Sequence, residues 1–95
     1  MAADILAAKR DDVLRIAREH GVGRVRVFGS HARGEALPDS DLDLLVRLLP
    51  GHGFSDFMAF CDEAEAALGQ RVDVVTEDGL SPFIRERVLE EATPL

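Results

Sequence analysis

The sequence predicts an α/β (α+β) domain: a mixed sheet of three strands, with room for more, and helices packed on it. Two observations carry this. Segments with apolar residues at helical spacing alternate with short segments of period two, and Gly or Pro punctuates nearly every junction. The resulting order is helix, strand, strand, helix, strand, helix, which a small layered domain satisfies by packing its helices on one sheet. At 95 residues with no linker-like stretch, residues 1–95 read as a single domain.

Each element has its own justification. Asp4 to His20 is a helix, with Val13, Ile16 and Ala17 at helical spacing and Gly21 as its stop. Arg24 to Phe28 is a strand, Val25 and Val27 alternating with Arg26 and Phe28. Gly29-Ser30 ends it, and a short helical turn runs through Arg33. Gly34 to Ser40, containing Pro38 and Asp39, is a loop. Asp41 to Leu48 alternates again: Asp41, Asp43, Leu45 and Arg47 share one face, Leu42, Leu44, Val46 and Leu48 the other. After Pro50-Gly51-His52-Gly53, Phe54 to Leu68 forms a helix with Phe57, Cys61, Ala64 and Leu68 on one stripe and Gly69 as its stop. Phe54, Phe57 and Phe60 are expected in the core. Arg71 to Thr76 is the third strand, Val72 and Val74 opposite Asp73 and Val75. Ser81-Pro82 opens the last helix, which runs to about Glu91 and carries Phe83, Ile84, Val88 and Leu89.

Composition removes several function classes. With 11 basic and 18 acidic residues the net charge is −7, unsuited to gripping nucleic acid by displacing counterions. Residues 1–50 balance 8 basic against 8 acidic side chains, and residues 51–95 hold 3 against 10, so the whole excess lies in the second half. Such a half suits a basic partner protein or simply solvated helix faces. No apolar run reaches membrane-spanning length, and Asp4 stands where a secretory leader carries basic residues. The lone Cys61 allows no internal disulfide, which fits a cytoplasmic protein. His20, His31 and His52 lack zinc-site spacing.

Chemistry concentrates between Val27 and Val46. Asp41 and Asp43, two apart on a strand, point to one face, and Asp73 on the third strand faces away from its valine neighbours toward the same side. Like charges so close repel unless a cation lies between them, and Mg²⁺ favours one or two carboxylates together with phosphate oxygens. Gly29 permits close backbone approach to a ligand, and the Ser30 hydroxyl and the N–H groups of the following turn suit phosphate oxygens. An EF-hand loop is excluded because this stretch starts and ends in strands.

Gly29-Ser30, ten residues, then Asp41-Leu42-Asp43 resembles the signature of the DNA polymerase β-like nucleotidyltransferase superfamily. The tighter form, Phe28-Gly29-Ser30-x-x-Arg33-Gly34 with Ser40-Asp41-x-Asp43-Leu44, is similar to its minimal nucleotidyltransferase branch. Arg71-Val72-Asp73-Val74-Val75-Thr76 matches the third strand, and the ending Arg85-x-Arg87-Val88-Leu89-x-Glu91-Ala92 is also similar, so the likeness runs from Arg24 to the last helix. It implies a Mg²⁺-dependent antitoxin that moves AMP from ATP to a tyrosine of a HEPN-domain ribonuclease toxin, in complex with that toxin. Carried over, Gly29 and Ser30 hold the triphosphate, and Arg33 touches phosphate or pins its loop. Asp41, Asp43 and Asp73 are the metal ligands and catalytic carboxylates, with Asp73 favouring deprotonation of the incoming hydroxyl. Ser40 is expected to bond the turn before Asp41, and His31 to face solvent. Two other functions stand beside this one: an antitoxin acting by binding alone, and a small-molecule nucleotidyltransferase. The latter lacks a second domain for its acceptor here.

Overall fold

The computed structural model describes residues 2–35, 37 and 41–95, and the side chains of the first helix from residue 7 onward. The elements are α1 (Ala2–Glu19), β1 (Val22–Phe28), α2 (Ser30–Arg33), β2 (Leu42–Leu48), α3 (Phe54–Leu68), β3 (Val72–Thr76), a 3₁₀ turn (Glu77–Gly79), α4 (Pro82–Glu91) and β4 (Thr93–Pro94). Ser40, and with it most of the loop before Asp41, lies outside the described residues.

The sheet has four strands in the order β3-β2-β1-β4. β1 runs antiparallel to both β2 and β4, and β3 lies parallel to β2, the two being joined by α3 as a crossover. The alternation within each strand divides the apolar residues between two cores. On one face Val25, Val27, Leu42, Leu44, Val46 and Val72 pack with Val13, Ile16 and Ala17 of α1 and Phe60, Ala64 and Leu68 of α3. On the other, Leu45 packs with Leu80 and with Val88 of α4, supported by Phe28, Val75, Leu89 and Ala92. The mixed sheet is therefore a middle layer between α1/α3 and α4.

Four details differ from the sequence reading. The buried seam of α3 is Phe60, Ala64 and Leu68, leaving Phe57 and Cys61 at its half-buried margin. Phe54 opens the helix 75% exposed and lies against Phe57, ring centroids 6.4 Å apart, instead of entering the core. β1 begins at Val22, two residues early, because an irregularity between Gly23 and Arg26 lets it keep pairing with β2 through a turn-like Arg24 at φ 47°. The fourth strand is new: two residues pair Arg26 with Pro94 and Val27 with Thr93.

Candidate active site

The carboxylates come together where β1 ends and where β2 and β3 begin. Parallel pairing sets Asp43 directly beside Asp73, and antiparallel pairing sets Asp43 beside Phe28, the residue before Gly29-Ser30. Asp41 stands one residue ahead of β2, 39% exposed, with Arg71 Nε 4.0 Å from its carboxylate. All three lie on the face that α4 covers. Leu45 and Val75 fill the middle of that face beneath α4, and the strand ends beyond it are free to be polar.

Gly29 is required here on two counts. Its φ of 76° and ψ of −153° fall in a region open to glycine and closed to other residues. A Cβ on it would also sit 2.2 Å from Asp43 Oδ2. The loop therefore presses bare backbone against the Asp43 carboxylate, and Ser30 follows at once as the first residue of α2.

Asp43 is half-buried, and this burial raises its carboxyl above the usual carboxylate range; the charges of Asp73 and Asp41 push it further the same way. His31 and Arg33 of α2 pull in the opposite direction. His31, expected to face solvent, is instead half-buried and within electrostatic reach of Asp43. Arg33 donates from Nε to Glu35 at 3.1 Å and pairs through Nη1 with Glu91. Glu91 also accepts the Gly29 N–H at 3.2 Å. It ties α4 to the glycine loop, and Arg33 is engaged in pinning that loop.

The donor set fits Mg²⁺. It is all oxygen, anionic, and mutually repulsive without a cation. Among the described residues no three His, Cys, Asp or Glu side chains gather closely enough to enclose a metal by themselves. Mg²⁺ held here would have to draw the rest of its shell from water and substrate phosphates. A surface groove lies elsewhere, between Arg47, Leu48, Thr76, Glu77, Asp78 and Arg85 at the opposite ends of β2 and β3, and in it Glu77 is paired with Arg26.

Glu91 is the site residue for which the sequence reading assigned no role. Its position follows from β4, whose two residues carry too little pattern to be seen in advance.

A parallel Asp–Asp pair beside a glycine–serine loop whose backbone only glycine adopts, on a mixed sheet, suits nucleotidyl transfer. Residues 10–95 match the family described as the nucleotidyltransferase domain, and the chain belongs to that family. The candidate protein adenylyltransferase MJ0435 of Methanocaldococcus jannaschii is 39% identical over 80 residues, covering 84% of this chain and 86% of the relative. The protein adenylyltransferase MntA of Thermococcus cleftensis is 42% identical over 71 residues, covering 75% and 72%. A solved candidate minimal nucleotidyltransferase superposes with a TM-score of 0.90 at 52% identity, over 100% of this chain and 97% of that one. A toxin–antitoxin complex solved with AMP-PNP shares the fold, with a TM-score of 0.73 at 19% identity over 88% of this chain and 69% of that one. Among the described residues no helix is long and apolar enough to cross a membrane.

Proposed function

We propose that residues 1–95 act as one catalytic domain, an antitoxin of the cytoplasm that transfers AMP from ATP to a tyrosine of a HEPN ribonuclease toxin bound to it. The observation that carries this is the register of Asp43 beside Asp73, with Asp41 two residues before and the Gly29-Ser30 loop against Asp43. The relatives named as protein adenylyltransferases support the choice of AMP and of a protein acceptor. The solved toxin–antitoxin structure with AMP-PNP supports a toxin as the partner.

In this reading Gly29 and Ser30 hold the triphosphate, with Arg33 at its edge. Asp41, Asp43 and Asp73 would hold two Mg²⁺, which would offset charge on the α-phosphate and make the attacking hydroxyl more acidic. A tyrosine hydroxyl titrates at about 10 and needs such help at neutral pH. Asp73 takes its proton. The phenolic oxygen then bonds to the α-phosphorus in line as the bond to the bridging oxygen breaks, and pyrophosphate departs.

The test is label transfer. The chain is mixed with Mg²⁺, a HEPN-domain partner protein, and ATP labelled at the α-phosphate, with Asp41→Asn plus Asp43→Asn as control. Label on the partner, absent in the control and absent from γ-labelled ATP, is expected. A stable complex that acquires no label would overturn catalysis and leave an antitoxin acting by binding.

A further inference from the structure

Glu91 closes α4, and the transfer chemistry above gives it nothing to do. Its placement follows from the C-terminal strand. β4 pairs Val27 with Thr93 in antiparallel register, and this brings the end of α4 back beside the end of β1, where Glu91 meets Gly29. The side chain uses both oxygens there. Oε2 accepts the Gly29 N–H at 3.2 Å, and Oε1 accepts from Arg33 Nη1. Glu91 is 19% exposed against 41% for Arg33, so the pair is partly shielded from water and screening salt.

This contact falls on the least constrained point of the loop. Glycine reaches φ 76°, ψ −153° without a steric penalty, but for the same reason nothing intrinsic keeps it there. A charge-assisted hydrogen bond to its N–H supplies that restraint. The same carboxylate fixes Arg33 four residues later, so one side chain spans both ends of α2, Gly29 before it and Arg33 at its close. Arg33 has five N–H donors, and two are engaged by Glu91 and Glu35. Its side chain is 41% exposed, so its planar edge is open to an anion.

We propose that Glu91 is a positioning residue for the nucleotide: it locks Gly29 and Arg33 in the geometry in which the loop receives the triphosphate. This rests on the nucleotidyltransferase reading above and adds to it the α4 terminus as the part that sets nucleotide affinity. It also makes α4 a mechanical link, since any partner that shifts this helix would move the loop through Glu91.

The experiment measures ATP binding in Mg²⁺ by calorimetry for the full chain, Glu91→Gln, Glu91→Ala, Arg33→Ala and the Glu91→Ala/Arg33→Ala double variant. Thermal unfolding and amide exchange over residues 29–33 are followed alongside. Glu91→Ala is expected to weaken ATP about tenfold, the scale of one lost hydrogen bond to a charged group. Glu91→Gln, whose amide oxygen still accepts the Gly29 N–H, is expected to fall between it and wild type. In the Arg33→Ala background the Glu91→Ala effect should shrink, because half of what Glu91 holds is gone. Exchange at the loop should rise in step with the loss of affinity. A folded Glu91→Ala that binds ATP within twofold of wild type, with only its melting temperature lowered, would make Glu91 a structural tie and overturn this inference alone. A wild-type chain that binds no ATP would overturn the proposed function and this inference together.

Discussion

Asp43 is held where its charge is costly. Burial and the neighbouring charges of Asp73 and Asp41 raise its carboxyl above the usual range, so without a cation its ionised form opposes folding. The folded state then takes up a proton at higher pH than the unfolded chain does. Its destabilising contribution is full at neutral pH and is relieved as pH falls through the folded pKa toward the unfolded value of about 4. Glu91 behaves in the opposite sense. Its carboxyl is lowered, chiefly by Arg33, so its contribution holds above the unfolded pKa and is lost as pH falls through the lowered one. Asp43→Asn should therefore be more stable than wild type in urea unfolding at pH 7 with chelator present, and this advantage should shrink toward pH 4. An Asn variant no more stable than wild type at pH 7 would refute the account of Asp43 as a strained ligand. The pairing of residue types was legible in the sequence, since a two-residue spacing on a strand leaves little choice of face. Which carboxylate is the buried one was not, because that depends on Gly29 lying against Asp43 and leaving Asp41 at the margin beside Arg71.

The elements that strong local signals mark are the ones the sequence reading placed well. α3 spans Phe54–Leu68 with Gly69 at φ 68° behind it, and α4 spans Pro82–Glu91 after Ser81, both as their caps predict. In α3 the Asp56 carboxylate also accepts the Gly53 N–H at 3.3 Å, one arm of a capping box. Ser81 Oγ accepts the Phe83 N–H at 3.3 Å, satisfying one of the orphan donors at the start of α4. Ser81→Ala should cost about 1 kcal/mol in urea unfolding, while Ser81→Asp should hold wild-type stability because aspartate caps equally well. Equal stability of Ser81→Ala and wild type would show that this cap contributes nothing. Elements held by tertiary contact instead of local signal escaped notice. β4 is two residues containing a proline, and it exists because β1 offers it an edge. The α3 stripe was right in part for a similar reason: Ala64 and Leu68 line the buried seam with Phe60, as expected, while packing against α1 and the sheet leaves Phe57 and Cys61 at its margin.

For the whole molecule the site and the net charge act together. A chain of net charge −7 sets Asp43 beside Asp73, with Asp41 two residues before, at the starts of two neighbouring strands, so a divalent cation held there would relieve both the local repulsion and some of the global one. A ligand that binds only the folded state stabilises it by mass action, about 2.7 kcal/mol at one hundred times its dissociation constant. For a domain of this size each kcal/mol moves the melting temperature by about 4–8 °C. Saturating Mg²⁺ should thus raise the wild-type melting temperature by more than 10 °C, about the lower bound of that product. The local and global effects separate cleanly. NaCl at matched ionic strength screens the net charge without entering the site, and Asp43→Asn, which removes one of the 18 acidic residues, abolishes the ligand. The site predicts a large shift with Mg²⁺ in wild type and only the small salt shift in Asp43→Asn. Equal shifts from Mg²⁺ and matched NaCl in wild type would mean that the three carboxylates bind no metal in the absence of nucleotide. The cation would then have to arrive already bound to the triphosphate.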